Sequence, residues 1–218
     1  MYSPPRRPMI STDNKDNRVA WCMDRQEDET NWNSVVFADE CQVYLHRNLL
    51  KVWSKKSSTR EWPIPSQSPR VSVWSAFSVR GLFPVVIYDG SLNAERYCEV
   101  LNGGLQETAN ILHPDGFLLV HDNVPCHAAR YTKEWMLSQD ITPLPWPSIS
   151  PDLNPIENLW GLLKNKIERD QPKKKEELIL AINCPWFEFD FKILQNLATS
   201  MNDRLKLRIE SNGYSIKY

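Results

Sequence analysis

Three acidic residues stand where their carboxylates can converge. Asp39 follows an apolar, β-branched run, Asp122 follows the run "FLLVH", and Glu157 lies early in a predicted helix within "SPDLNPIENLWGLLK". In mixed α/β sheets, ligand sites favour the edge where strand ends and helix starts meet. Hard cations such as Mg²⁺ take oxygen ligands, and two such ions about 4 Å apart promote phosphodiester chemistry. These residue types therefore suit metal-dependent phosphoryl transfer.

The spacing of the three acids is compatible with one shared sheet edge. Between Asp39 and Asp122 lie 82 residues, and between Asp122 and Glu157 lie 34. The shorter interval holds one predicted helix, one strand and one loop. That length of chain can leave a strand end and return to the same edge of the sheet.

Each acid also has a structural interpretation, and both interpretations stay open for each residue considered alone. Asn154 fits a helix N-cap with Glu157 three residues later, which is the spacing of a capping box. Asp122 fits an Asx turn before a proline. Asp39 fits the last residue of a strand. Capping and metal ligation are compatible, because the cap fixes the backbone that carries the carboxylate.

Polar residues around Asp122 are further candidates. Asn123 can hydrogen-bond a carboxylate or a phosphate. His121 and His127 flank the motif, and we interpret both as hydrogen-bonding groups within the turn rather than as metal ligands. Cys126 and His127 do not form a zinc motif, because the sequence contains no partner pair at zinc-ligand spacing.

A basic stretch interrupts the predicted strands. Residues 47–70 contain three prolines and many serines, which indicates a loop insertion. Such a stretch can contact DNA phosphates, or it can be a solvated surface loop, and both interpretations stay open. Its candidate DNA-binding cations are Arg47, Lys51, Lys55, Lys56 and Arg60.

The remaining sequence predicts an α/β fold with a mixed β-sheet flanked by helices. We expect an N-terminal tail and linker helix in residues 1–33, then one domain in residues 34–218. Predicted strands and helices then alternate along this domain. The strands are expected at 34–39 and 42–46, paired as a hairpin, and at 70–79, 82–90, 117–123 and 141–146. Helices are expected at 92–112, 125–140 and 155–170, and as two further helices from about residue 175.

Composition narrows the class of protein. A chain of 218 residues fits one sizeable domain, and its net charge of −1 argues against a uniformly basic nucleic-acid binder. The sequence has no apolar run of about 18 residues, so no transmembrane helix is predicted. Five scattered cysteines are interpreted as reduced thiols of an intracellular protein.

Three local sequences together resemble the catalytic motifs of the Tc/mariner transposases. They are "VVFADE", "LLVHDNVPCHAA" and "SPDLNPIENLWGLLK", and the final gap of 34 residues ending in Glu157 resembles the Tc branch. The resemblance extends from about Arg18 to Tyr218. It implies an RNase H-like fold and a triad of Asp39, Asp122 and Glu157 that binds two Mg²⁺ or Mn²⁺ ions.

The same resemblance implies a reaction and partners. In this family, metal-activated water cuts the transposon ends, and the freed 3′-hydroxyl attacks a TA target without a covalent enzyme intermediate. The expected partners are therefore DNA (terminal repeats and TA target) and a second copy of the chain, as a homodimer assembled on DNA. The expected location is the nucleus, with no membrane association. Asn123 matches a family position, and the basic loop corresponds to a region that helps to clamp the dimer.

The sequence also departs from the family pattern. We expect the two helix-turn-helix modules that precede this domain in family members to be missing from this chain. The run "VWSAFS" lacks the glycine that usually follows the tryptophan, and "LNGGLQ" places two glycines in a helix. Two alternatives compete with this interpretation. A retroviral-type integrase would need an N-terminal His/Cys zinc module, and a transposase remnant would retain only DNA binding or dimerisation.

Overall fold

A mixed β-sheet forms the centre of the chain in the computed structural model, which describes residues 10–45 and 69–217. The strands are β1 (Val35–Tyr44), β2 (Arg70–Ser78), β3 (Gly81–Leu82), β4 (Val86–Tyr88), β5 (Leu118–Val120) and β6 (Thr142–Pro143). Their order in the sheet is β3-β2-β1-β5-β6, with β4 also paired to β2. Strand β1 lies between antiparallel β2 and parallel β5.

The central strand β1 carries two of the residues that matter for the site. Because side chains alternate across a strand, Phe37 and Asp39 face one side of the sheet, whereas Ala38 and Glu40 face the other. The predicted hairpin of residues 34–39 and 42–46 is wrong, because residues 35–39 and 42–44 of these runs belong to the single strand β1. Its partner is β2, which pairs with it continuously from Phe37 to Tyr44.

Helices cover both faces of the sheet, as predicted. The helices are α1 (Thr12–Glu27), α2 (Ala94–Gly104), α3 (Gln106–Leu112), α4 (Pro125–Ala128), α5 (Arg130–Ser138), α6 (Ile156–Asp170), α7 (Lys175–Trp186), α8 (Phe191–Thr199) and α9 (Met201–Glu210). Helices α2, α3 and α5 pack on the face of Ala38, and α6 to α9 pack on the face of Phe37 together with α1. Among the residues that the structure describes, no helix is long and apolar enough to cross a membrane.

Three predicted helical segments are divided more finely than expected. The segment 92–112 breaks at Leu105, just after Gly104, where an added Cβ would lie 2.6 Å from the Trp74 ring. The segment 125–140 breaks at Ala129, whose backbone is extended. The C-terminal segment contains three helices instead of two, because Ser200 ends α8 and its hydroxyl donates to the Leu197 carbonyl.

The parallel pairing of β1 with β5 determines where the first two acids lie. Val35 pairs with Leu118 and Phe37 pairs with Val120, so each residue of β1 has its partner 83 positions later. Asp39 and Asp122 are also 83 positions apart. Extending this register two residues beyond β5 therefore places Asp122 beside Asp39, at the carboxyl end of β5.

Candidate active site

Asp39 lies in the middle of β1 rather than at its end, which corrects the predicted strand boundary. Its side chain shares the face of Phe37, against which α6 packs. The indole Nε1 of Trp160, on α6, donates to Asp39 Oδ2 across 3.2 Å. This bond holds one carboxylate oxygen of Asp39 in a fixed direction.

Asp122 lies two residues beyond β5, in a tight turn. Its Oδ1 accepts a hydrogen bond from the Val124 backbone N–H at 3.2 Å, which is the Asx turn that the sequence predicts. The same oxygen lies 2.9 Å from His127 Nδ1. Burial alone would raise the pKa of Asp122, but the hydrogen bonds from His127 and Val124 outweigh it and hold the pKa below its usual value. Asp122 is therefore ionised at neutral pH.

Glu157 lies in the first turn of α6, where an acid is favoured by the helix dipole. Asn154 does cap this helix, because its Oδ1 accepts from the Ile156 N–H at 3.3 Å. The reciprocal bond of a capping box is not made by Glu157, since the Asn154 N–H donates to the Pro151 carbonyl at 3.0 Å. Asn154 Nδ2 also donates to the Ala38 carbonyl at 3.1 Å, which ties the start of α6 to the strand that carries Asp39.

The three acids line one cleft of about 390 Å³. Burial raises the pKa of Asp39 well above its usual value, and the nearby carboxylates of Glu157, Glu40 and Asp122 raise it further. Burial also raises the pKa of Glu157, although the charge of Lys164 opposes this. The structure thus brings the predicted triad together, and the repulsion between its members creates a place where a cation is electrostatically favoured.

Below Asp122, His127 connects two acids. Its Nδ1 faces Asp122, and its Nε2 lies 3.3 Å from Glu40 Oε1. Burial would lower the pKa of His127, but its contacts with the carboxylates of Asp122 and Glu40 raise the pKa to about 10. These three side chains lie within 4.8 Å of one another and have metal-ligand chemistry. Because both of its ring nitrogens face carboxylate oxygens, we interpret His127 as the group that orients Asp122.

Two rings support His127 from below. The ring of Tyr97 lies 3.9 Å from that of His127, and the ring of His121 lies 4.9 Å away, measured between centroids. Burial and then the charge of His127 lower the pKa of His121 to about 4. His121 is therefore neutral, and its Nδ1 forms a hydrogen bond with the Tyr97 hydroxyl across 3.0 Å. His127 does contact Asp122 within the turn, as predicted, whereas the partner of His121 is Tyr97 on α2, outside the turn.

Buried arginines anchor the loop that leads to Glu157. Arg18 Nη2 donates to Asp152 Oδ1 across 2.9 Å, and Arg208 Nη2 donates to Asp152 Oδ2. Arg204 donates to the Asp152 carbonyl at 3.0 Å and to Asn158 Oδ1 at 2.7 Å. All three arginines are at least 99 % buried. Helices α1 and α9 therefore hold the loop from both sides, one turn ahead of the helix that carries Glu157.

The predicted DNA contacts are placed only in part. Asn123 lines the cleft, and its Nδ2 donates to the Trp146 carbonyl at 2.6 Å. This bond holds in place the wall of the cleft that residues 146–151 form. The five cations of the basic loop lie outside the described residues, and their role stays a prediction. They are Arg47, Lys51, Lys55, Lys56 and Arg60.

Sequence reasoning missed several residues that shape the site. The spacing of Trp160 with the apolar residues of α6 predicts a core position, where it does pack, but its indole N–H also donates to Asp39. Its position three residues after Glu157, on the same helical face, was a usable signal. Glu40 directly follows Asp39, yet nothing local indicates its contact with His127. Asp152 was not singled out at all, because its arginine partners are distant in sequence.

Comparison with known proteins identifies the family. Residues 34–179 match the model of the DDE superfamily endonucleases. The Tc3 transposase of Caenorhabditis elegans is 30% identical over 230 residues, which cover 97% of this chain and 65% of that protein. The Tc1 transposase of the same organism is 26% identical over 227 residues, covering 99% of this chain and 82% of that protein.

Solved structures give the fold. The Mos1 mariner paired end complex with Mn superposes with a TM-score of 0.85 at 17% identity, over 100% of this chain and 68% of that one. The catalytic domain of Mos1 mariner transposase superposes with a TM-score of 0.75 at 16% identity, over 99% and 100% respectively. The predicted RNase H-like fold is thereby confirmed. The chain belongs to the DDE superfamily endonucleases, as a catalytic domain of the Tc/mariner transposases.

Proposed function

We propose that this chain is a divalent-cation-dependent DNA endonuclease and strand transferase of transposition. It cuts phosphodiester bonds at transposon ends and joins the freed 3′-hydroxyl to a TA target. The observation that carries this proposal is the convergence of Asp39, Asp122 and Glu157 in one cleft, with the pKa of Asp39 raised by burial and by the other acids. A cation among these carboxylates would offset the repulsion that raises the pKa of Asp39.

The residues present fit two Mg²⁺ or Mn²⁺ ions, because the donor set is made of carboxylate oxygens. Asp39, Asp122 and Glu157 would hold them. When bound, such ions activate the attacking oxygen and stabilise the leaving oxygen of a phosphodiester. Neighbouring structures of Mos1 transposase catalytic domain with Mg or Mn support this choice of metal.

The protein's own groups orient the acids. Trp160 directs one oxygen of Asp39, and His127 directs one oxygen of Asp122. Asn154 ties the first turn of α6 to β1 and so fixes Glu157 relative to Asp39. Because both ring nitrogens of His127 face carboxylates, this histidine is engaged in positioning and is not the base that deprotonates water.

DNA is the proposed partner, with transposon terminal repeats and a TA target as its two forms. The neighbouring Mos1 paired-end complex and strand transfer complex support this assignment. We propose that two copies of the chain assemble on DNA as a homodimer, in which each copy cuts one transposon end. We also propose that the protein acts in the nucleus. An intact triad favours an active enzyme over a remnant that only binds DNA or dimerises.

Nicking of supercoiled plasmid DNA in Mn²⁺ tests the proposed function without knowledge of the terminal repeats. We expect the full chain to nick, and Asp39→Asn, Asp122→Asn and Glu157→Gln each to reduce nicking to background. Asp170→Asn is the matched control, since this exposed acid ends α6 far along the helix from Glu157. Nicking by Asp122→Asn at the wild-type rate would contradict the proposal.

A further inference from the structure

One residue in the wall of the cleft has a backbone conformation that its side chain disfavours. Ile149 has φ of 54°, in the left-handed region. For a β-branched residue this is a genuine outlier, because Cβ crowds the following carbonyl. Such conformations persist only where the surrounding structure imposes them, and they cluster at functional sites.

The other non-glycine residues with positive φ have an ordinary explanation. Among the described residues they are Glu29, Asp140, Gln171 and Asn212, and each lies just after a helix end. A left-handed residue at that place satisfies the last helical carbonyls. Ile149 follows no helix but lies in a turn with Ser148, at a place where glycine or asparagine would fit without strain.

Hydrogen bonds hold the wall in place on both sides of Ile149. Before it, Trp21 Nε1 donates to the Pro145 carbonyl and Asn123 Nδ2 donates to the Trp146 carbonyl, each across 2.6 Å. After it, the Ser150 hydroxyl donates to the Ser148 carbonyl at 3.1 Å. Ser150 itself is 96 % buried. The conformation of Ile149 is therefore imposed by an anchored loop.

The strain does not serve the packing of the core. The Ile149 side chain is 45% exposed and lines the same cleft as Asp39, Asp122 and Glu157. Its neighbours in this wall are Ser148, Ser150 and Pro151, and Ile149 is the large apolar side chain that the wall exposes toward the cleft. An apolar group gains nothing from a phosphate, but it can pack against the face of a nucleobase.

We infer that Ile149 is a wedge that packs against the nucleobase next to the scissile phosphate and so separates it from its neighbour in the duplex. This inference rests on the proposed function and adds the part of DNA that the wall contacts. Unstacking the base frees the strand to enter the cleft. Ile149 thus selects substrates in which this base can leave the stack.

A pair of matched substitutions tests the wedge. Ile149→Asn replaces a branched apolar side chain by one that tolerates left-handed backbone. We expect Tm to rise by about 2–4 °C, while nicking of duplex plasmid in Mn²⁺ falls by about tenfold, in line with the loss of one base contact. The control Gln171→Asn changes an exposed left-handed residue after α6, and we expect nicking unchanged.

A second substrate separates a wedge from a general defect. On a single-stranded oligonucleotide, where no duplex stacking has to be broken, we expect Ile149→Asn to nick nearly as fast as wild type. Ile149→Met, which stays apolar, is expected to restore duplex nicking. A fall in Tm, an unchanged duplex rate, or equal losses on both substrates would each overturn the inference.

The two proposals fail in different ways. If Asp122→Asn nicks as wild type does, the proposed function is wrong. If Asp122→Asn is inactive but Ile149→Asn nicks duplex DNA normally, the function stands and the wedge is wrong. A readout without cleavage is the fluorescence of 2-aminopurine placed beside a nick in a short DNA duplex, measured with the protein bound in Ca²⁺. Binding of wild type is expected to raise this fluorescence, and binding of Ile149→Asn is expected to leave it unchanged. Equal fluorescence with the two proteins would overturn the wedge.

Discussion

His127 Nδ1 lies 2.9 Å from Asp122 Oδ1, while its Nε2 lies 3.3 Å from Glu40 Oε1. One buried imidazole thus connects a carboxylate of the cleft to an acid on the opposite face of β1. The pKa of His127, raised to about 10, means that this bridge is charged at neutral pH. The direction of the Asp122 carboxylate therefore depends on a residue that does not itself line the cleft.

Replacing this bridge should weaken metal binding. His127→Gln can donate to one carboxylate but cannot connect both, so we expect Mn²⁺ affinity to fall by about 10–100-fold, the usual cost of losing a partner that orients a ligand. A Mn²⁺ titration followed by electron paramagnetic resonance measures this affinity. His113→Gln, at a buried histidine bonded to Ser78 instead, is the control. Wild-type affinity in His127→Gln would contradict the positioning role.

Removing one acid should stabilise the metal-free protein. Burial and the neighbouring carboxylates raise the pKa of Asp39 in the folded state, so its contribution to stability falls as pH rises above about 4. Asp39→Asn removes this penalty. At pH 7 with EDTA, we expect the free energy of unfolding in urea to rise by more than about 0.5 kcal/mol, the scatter of neutral surface substitutions. A less stable Asp39→Asn would indicate that the carboxylates do not repel one another.

Asp152 should be essential for the fold around Glu157. Asp152→Asn leaves the buried guanidinium groups of Arg18 and Arg208 facing a neutral amide, and breaking a buried ion pair costs about 3–5 kcal/mol. We expect a loss of this size in chemical denaturation. Asp170→Asn, at an exposed position, should stay within about 0.5 kcal/mol of wild type. Similar stabilities for the two variants would refute the anchoring role.

Acid should destabilise the protein partly through His113. Burial and the charge of Arg80 lower its pKa to about 4, so the unfolded chain binds this proton at a higher pH than the folded one. The contribution of His113 to the free energy of unfolding is fully present above about pH 6.5 and is lost as pH falls toward 4. Between pH 7 and pH 5 we expect a loss of about 2 kcal/mol that His113→Gln lacks. An identical pH profile for the two proteins would contradict this assignment.

The sequence contained enough to predict the triad but not its supports. Asp39, Asp122 and Glu157 are each marked by a local pattern, namely the end of an apolar run or the start of a helix. The extent of β1 was missed, because "DEC" in its middle interrupts the apolar pattern that would identify one long strand. Here the pairing with β2 and burial by α6 override the local signal.

The residues that hold the triad in place make long-range contacts, which the periodicity of apolar residues in the sequence does not reveal. Arg18 and Asp152 are 134 residues apart and belong to a helix and a loop that meet only in the fold. The conformation of Ile149 is likewise imposed by bonds from Trp21 and Asn123 to its loop. Local propensity would not place a β-branched residue there, and for this reason the structure was needed to find it.

The most direct test of the proposed cation site is to measure Tm with and without millimolar Mn²⁺. The proteins compared are wild type, Asp122→Asn, Glu157→Gln and the control Asp170→Asn. A cation that binds only the folded state adds about 2.7 kcal/mol at 100 times its dissociation constant. We predict that Mn²⁺ raises the Tm of wild type and Asp170→Asn by similar amounts, and that the rise is lost in the two triad variants. An equal rise in all four proteins, or no rise in wild type, would contradict the claim that the three acids form a divalent-cation site.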